Sequence, residues 1–201
     1  MSAANGTAFP HSCDLGDFSS HESLIRNAIE RFGTLDILVN NAAIQKRQPF
    51  LDATLSTWTE MFAVNLQAPF FLSQAAARHM TKQRRGKIVN IASIHDTVAL
   101  SKSSIYSITK GGLRMLTRSL ALELSEYNVH VNAISPGAIR TNMNRAALAD
   151  PAHEQDTLKK IPLGRIGDPQ DLVGAAVFLA SSESDYITGS TLYVDGGILL
   201  Q

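Results

Sequence analysis

The most constraining feature of this chain is an alternation: short strand-like runs recur between longer stretches whose apolar residues repeat at helical spacing. Leu35–Val39 is almost wholly apolar, like a strand buried on both faces of a parallel sheet. Lys87–Ala92, Val129–Ile134 and Thr191–Val194 also read as strands. The first helical pattern has Leu24, Ile25, Ala28, Ile29 and Phe32 on one face, a Ser19/Glu22 capping box before it and Gly33 as its stop. A second runs from about Thr57, with a Thr57/Glu60 box, to the basic stretch Lys82–Arg85, and a third covers Ser104–Glu126. Asp168 and Pro169 open another, the carboxylate as cap and the proline in the first turn. Strands alternating with helices predict an α/β fold with a parallel sheet flanked by helices. Thr7–Cys13 reads as one further strand, which Pro10 confines to a sheet edge or its start because proline has no N–H to donate. With 201 residues and no linker-like stretch, residues 1–201 read as a single domain.

Composition removes several classes of function. Eighteen Lys plus Arg balance eighteen Asp plus Glu, so no net field draws the chain to nucleic acid or to an anionic membrane. No apolar run approaches the ~20 residues of a membrane span. Cys13 is the only cysteine, and the opening Met-Ser-Ala-Ala-Asn-Gly lacks the basic head and apolar core of a leader, so the expectation is a soluble, cytoplasmic protein. The six histidines are scattered without metal-ligand spacing.

In parallel α/β sheets ligands sit beyond the carboxyl ends of the strands. That rule directs attention to Asp14, to Asn40 through Ala43, to Ser93, and to Pro136 and Gly137. Tyr106 and Lys110 stand four apart in a predicted helix, so both leave one face and the ammonium can lie near the phenol. A nearby cation favours phenolate and draws its pKa down from near 10. Ser93, at a strand end, could donate a hydrogen bond to the same substrate oxygen. A tyrosine and lysine so spaced are also a common surface pair, and Asn40 and Asn41 could simply bridge neighbouring strand ends.

Taken in order, Asn40-Asn41-Ala42-Ala43, Asn65, Ser93, Tyr106-x-x-x-Lys110, Pro136-Gly137 and Val194-Asp195-Gly196-Gly197 resemble the short-chain dehydrogenase/reductase family from Thr7 to Gly197. The resemblance implies a Rossmann-like fold and an NAD(P)-dependent oxidoreductase acting between an alcohol and a carbonyl. Tyr106 would exchange the proton, Ser93 would orient the substrate oxygen, Lys110 would hold the nicotinamide ribose, and Asn65 would anchor a water of the proton relay. Asp14, Leu15, Asn40, Asn41 and Ala42 would lie around the adenine and its ribose. Pro136, Gly137, Ile139 and Thr141 would lie around the nicotinamide, beside Tyr106 and Lys110. Ala43 stands where the family usually has glycine, a tolerable change if φ is negative there. Independently of the family, Pro69 removes the helical partner of the Asn65 carbonyl, which could then hold a water.

The resemblance also implies an absence. None of the thirteen glycines forms a Gly-rich phosphate loop, and the family's first β-α-β-α unit has no counterpart. Losing two or three charge-assisted hydrogen bonds of ~1.5–3 kcal/mol each would weaken cofactor binding about a thousandfold. The family order 3-2-1-4-5-6-7 then leaves Thr7–Cys13 without a neighbour, and the expectation is that it moves beside Leu35–Val39. The face once covered by the lost helices would be bare.

Asn142–Gly167 occupies the family's variable substrate loop, and Ser93-Ile94-His95-Asp96 together with Ile161–Gly167 look most like the glucose and gluconate dehydrogenase branch. His95, Asp96 and Asn144 are candidates for bonding sugar hydroxyls, although an adjacent histidine and aspartate on a loop are more often a solvated pair. The expected partner is a small alcohol or carbonyl substrate. The helices from Thr57 and Ser104 resemble the family's dimer-forming pair, so a homo-oligomer is expected. Two readings stay open, an active oxidoreductase or a non-catalytic isoform acting by association. An epimerase or dehydratase is disfavoured by the complete Ser-Tyr-Lys-Asn set.

Overall fold

The computed structural model describes residues 6–200. Residues 1–5, on which the expectation about a leader rests, and residue 201 lie outside the described residues. Four strands, β1 (Ile37–Asn40), β2 (Gly86–Ile91), β3 (Val129–Pro136) and β4 (Thr191–Val194), form one parallel sheet in the order β1-β2-β3-β4. The register sets Ile37 against Lys87, Gly86 against Val129 and Ala133 against Thr191. The α/β expectation is met, and all four apolar runs are strands.

Side chains alternate across the sheet and divide the core in two. Ile88, Val129 and Val131 face a layer made by α1 (His21–Phe32), α3 (Ala68–Gln83) and α4 (Ser104–Leu124). Val89 and Ile134 face α7 (Gln170–Ala180) through Leu179. The central strands β2 and β3 are therefore buried on both faces, which is why they carry so few charges.

The helix boundaries differ from the sequence reading where caps decide them. Ser19 gives its hydroxyl to the Asp17 carboxylate, which caps a 3₁₀ turn, Phe18–Ser20, so the Ser19/Glu22 box does not form. Gly33 does end α1, at φ 79°, with its N–H on the Ile29 carbonyl. Thr54, rather than Thr57, caps α2 (Leu55–Phe62) by accepting the Thr57 N–H at 3.2 Å. Between α2 and α3 lies a π-helical stretch, Ala63–Gln67, which ends two residues before Pro69 in the first turn of α3. A proline that cannot donate relaxes the ladder there. The loop between β3 and α7 contains α5 (Arg145–Leu148) and α6 (Pro151–Leu158). Pro169 itself is the N-cap of α7; Asp168 does not cap it, and its N–H donates to the Asp171 carboxylate, which Arg165 grips with two nitrogens.

Thr7–Cys13 is not a strand, and it has not moved beside β1. Residues 6–12 are all exposed, so the run has no apolar face to bury, and Pro10 cannot donate to a ladder. The Phe9 ring instead lies under the Arg31 guanidinium of α1, 4.4 Å away. The outer edge of β1 is left unpaired in the sheet. Beside it is a cavity of about 290 Å³ lined by Leu15, Ile25, Leu38, Val39, Asn40 and Pro69, among others. Ile37 and Val39 are 44% and 46% exposed on the face opposite Leu38, and Val173 and Val177 of α7 are exposed too. The expected bare face is present.

Candidate active site

Ser93 follows the end of β2 and adopts an extended backbone. Its hydroxyl accepts the His95 N–H at 3.2 Å and so opens a 3₁₀ turn, Ile94–Asp96. The first turns of α4 lie against that turn and bring Tyr106 and Lys110 to the same place, with exposures of 6% and 2%. Lys110 Nζ is 5.7 Å from the centre of the Tyr106 ring and donates to the Ile91 carbonyl at 2.8 Å. Ser93 is buried as well. The structure thus gathers the serine, phenol and ammonium at the carboxyl end of β2.

The electrostatics reverse one expectation. Burial pushes the Tyr106 phenol above its ordinary value, and the side-chain interaction with Ser93 only partly pulls it back. The ammonium does not depress it, because both groups have left water and desolvation penalises phenolate more than a cation at this distance favours it. Lys110 bears the same penalty: burial lowers it to about 8, opposed by the Asp96 charge.

Asn65 lies in the π-helical stretch and is 1% exposed. Its side-chain oxygen accepts the Ile44 N–H and its amide donates to the Ile44 carbonyl, both at 2.8 Å. The amide also reaches Thr109 Oγ1 at 3.3 Å. Asn65 therefore ties the segment after β1 to α4, one residue before Lys110.

Around the predicted adenine end, Leu15, Asn40, Asn41 and Ala42 line the cavity beside β1 together. The Asn40 side chain turns inward, donating to Ser73 Oγ at 3.1 Å and Asn90 Oδ1 at 2.8 Å. It bridges strand ends, and its amide is not available to a ligand. Asn41 is exposed. Asp14 is exposed and folds onto its own turn, accepting the Gly16 N–H. Ala43 is not among the residues of positive φ, so the missing glycine costs no strain there.

Pro136 ends β3, and Gly137 N–H donates to the Val194 carbonyl. A Cβ on Gly137 would stand 2.7 Å from Asp195 Cα, so glycine is required by the close approach of the β4 end. Ile139 bridges to Gly167 and lines a 160 Å³ cavity with Arg165, Asp171 and Asp195. Asn144 accepts from the Thr141 N–H and donates to the Ile139 carbonyl at 2.6 Å. Thr141 and Asn144 staple their own loop, so the Asn144 amide is committed and does not face a substrate.

His95 borders Tyr106, ring centres 6.3 Å apart and edge-on, with Nδ1 3.1 Å from the Val98 carbonyl. Desolvation lowers its pKa, and the Arg47 guanidinium adds to that fall. Asp96 points the other way: its carboxylate accepts from Ser135, Thr97 and Tyr193. It is spent inside the protein and is not a partner for substrate hydroxyls. Sequence reasoning missed Thr109, Asn90, Ser135, Tyr193 and Arg47. Asn90 and Ser135 did carry a signal, as polar residues within strands buried on both faces, whereas nothing local marked Arg47.

A nicotinamide cofactor can be tested against these residues. The buried Lys110 ammonium has three N–H donors and one protein acceptor among the described residues, so ribose hydroxyls would suit it. At the diphosphate end no glycine-rich turn or helix start is encoded. Lys110 thus fits a nicotinamide ribose, and the described residues include no glycine-rich cradle for a diphosphate.

A model of the family described as enoyl-(acyl carrier protein) reductase matches residues 1–199. The 5-keto-D-gluconate 5-reductase of Escherichia coli K12 is 42% identical over 185 residues, 90% of this chain and 73% of the relative. The L-rhamnose 1-dehydrogenase (NAD(P)(+)) of Azotobacter vinelandii is 40% identical over 201 residues, 100% of this chain and 78% of the relative. The crystal structure of a gluconate 5-dehydrogenase from Burkholderia cenocepacia J2315 in complex with NADP and tartrate superposes with a TM-score of 0.92 at 39% identity, over 94% of this chain and 74% of that one. The chain belongs to the short-chain dehydrogenase/reductase family of oxidoreductases. It spans about three quarters of the length of these relatives.

Proposed function

We propose that this chain carries the catalytic half of an NAD(P)-dependent oxidoreductase that interconverts a secondary alcohol and a ketone on a sugar acid. The observation that carries the reading is the buried convergence of Ser93, Tyr106 and Lys110 at the carboxyl end of β2. A phenol raised by burial is protonated at neutral pH, so Tyr106 is set to give its proton to the oxygen of a carbonyl being reduced. Ser93 donates to the same oxygen and orients it, and Lys110 holds ribose hydroxyls through its two spare donors. Asn65, bonded to Thr109 and to Ile44, keeps the segment after β1 against α4. A bound nicotinamide would supply or accept the hydride. The exposed Arg47, which forms no ion pair among the described residues, lies close enough to His95 to perturb it and offers a cation for a substrate carboxylate.

The test measures thermal stability against NADH and NADPH, then reduction of 5-keto-D-gluconate. Stabilisation by cofactor below millimolar concentration and turnover that falls about 10²–10⁴-fold in Tyr106→Phe, with unchanged thermal stability, support the proposal. Turnover unchanged in that variant overturns it.

A second reading is association without autonomous catalysis, favoured by the open edge of β1 and its bare Ile37/Val39 face. Ile108, Met115 and Leu122 are also exposed at seven-residue intervals on α4, an apolar stripe suited to a second copy of the chain. Silence to millimolar cofactor together with a dimer in sedimentation supports this reading.

A further inference from the structure

The turn after Ser93 fixes which nitrogen of its histidine carries the hydrogen. The N–H groups of Asp96 and Val98 return to the Ser93 and Ile94 carbonyls at 2.8 and 3.0 Å, so the turn is closed, and His95 Nδ1 lies 3.1 Å from the Val98 carbonyl. A carbonyl only accepts. Nδ1 therefore carries the hydrogen, and the neutral ring keeps a bare lone pair on Nε2. Nε2 makes no hydrogen bond among the described residues, and it is not one of their polar atoms sealed from solvent without a partner. The ring stands edge-on to Tyr106 with centres 6.3 Å apart, and the His95 N–H rests on Ser93 Oγ at 3.2 Å. An open acceptor thus borders the buried serine and phenol.

We propose that His95 is a substrate-contacting residue that sets specificity: its Nε2 accepts a hydrogen bond from a hydroxyl on the carbon next to the reacting carbonyl, so the site selects α-hydroxy ketones over plain ketones. This deepens the catalytic reading above and rests on it. The groups offered to the carbonyl oxygen and to a carboxylate, the Ser93 and Tyr106 hydroxyls and the Arg47 guanidinium, are all donors. A hydroxyl beside the carbonyl also needs an acceptor for its proton. The neighbouring Asp96 carboxylate is already occupied by the Ser135, Thr97 and Tyr193 hydroxyls, which leaves the imidazole. Desolvation lowers the His95 pKa, so the ring is neutral and its lone pair free at neutral pH. A plain ketone in the same place would leave Nε2 without a partner, and a site built around a substrate hydroxyl rejects the analogue that lacks it.

The measurement is ¹⁵N NMR of the chain carrying ¹⁵N-labelled histidine, near neutral pH, with His95→Phe to assign the signal. In the free chain Nδ1 should read as the protonated nitrogen of His95 and Nε2 as the bare one. 5-Keto-D-gluconate, added with and without NADP⁺ so that no turnover occurs, should move the Nε2 signal saturably. 5-Oxohexanoate, which has the same carbon skeleton, carboxylate and ketone but no hydroxyl, should leave it in place. Calorimetry should find 5-keto-D-gluconate bound about tenfold more weakly by His95→Phe, and 5-oxohexanoate bound within about twofold equally by both proteins. His95→Gln, whose side-chain oxygen falls near the place of Nε2, should restore most of the loss. Should His95→Phe not fold, His95→Asn, whose amide reaches Val98 but ends short of Nε2, reads the same quantity. A bare Nδ1, an Nε2 signal that 5-keto-D-gluconate does not move, or an equal loss for both ligands overturns the assignment. Turnover that depends on Tyr106 beside an unmoved Nε2 refutes this inference alone, and a shifted Nε2 in a chain without turnover refutes the oxidoreductase reading alone.

Discussion

Replacing Lys110 with methionine is expected to make the protein more stable, and more so at pH 7 than at pH 10. A lysine whose pKa falls from 10.5 to about 8 on folding costs about 3 kcal/mol while both states are protonated. Methionine fills similar space without a charge to desolvate. Its cost is the Ile91 carbonyl, which loses the bond at 2.8 Å, an effect of about 1 kcal/mol. The net expectation is a gain of about 2 kcal/mol at pH 7. The sign with pH follows from proton counting. Between about 8 and 10.5 the unfolded lysine still holds its proton while the folded one has lost it, so parental stability rises through that window. The advantage of Lys110→Met should shrink there and vanish near pH 10. Urea unfolding of parent and variant at pH 7 and pH 9.5 measures both numbers. A variant less stable than the parent by more than about 1 kcal/mol at pH 7, or a difference independent of pH, would show that Lys110 is not held at a folding cost. Its retention in spite of that cost would mark it as a functional group.

Gly137→Ala puts a Cβ within 2.9 Å of three Asp195 atoms, two of them backbone, and should lower stability by about 1–3 kcal/mol in the same urea assay. Asn90→Ala removes the acceptor of the Asn40 amide and the donor to Thr117 Oγ1 inside a buried network, at an expected cost of about 2–4 kcal/mol; a loss under 0.5 would mean that the network adds nothing. Val39→Lys places a charge on the bare face beside the open edge of β1, and sedimentation velocity should show less self-association with melting temperature unchanged.

Most of the architecture was legible because it depends on local pattern. Val129–Ile134 is a strand covered on both faces; Leu35–Val39 supplies a strand as well, but the expectation that it is buried on both faces fails, since Ile37 and Val39 stay half-exposed; and Gly33 stops α1 because its φ is positive. Misreadings arose where a residue two or three positions upstream takes the cap, or where a strand finds no partner. Ser19 and Thr57 have the chemistry of caps, but Asp17 and Thr54 lie closer to where the backbone turns. Thr7–Cys13 has strand-like residues and no partner, and a strand without a ladder or an apolar face is only extended chain.

The site shows the same division. Spacing alone placed Tyr106 and Lys110 on one helical face, and they are there. The direction of the phenol's pKa was not legible, since spacing reports proximity of charge and says nothing of the water removed around it. Nor could His95 and Asp96 be told apart. They are adjacent in a 3₁₀ turn that sends one ring toward Tyr106 and the other carboxylate toward β3 and β4.

The elements that hold Ser93, Tyr106 and Lys110 are β2, the 3₁₀ turn and α4, braced by β3 and β4 through Asp96. None of these elements borders the open edge, because β1 stands between that edge and β2. Under the proposed function, proton-transfer geometry is thus set by the fully covered centre of the sheet, where close packing leaves side chains one arrangement. Under the same proposal, cofactor affinity would depend instead on the side beyond β1, where the described residues offer an apolar cavity and two half-exposed aliphatic side chains. The two requirements of a dehydrogenase are physically separable here.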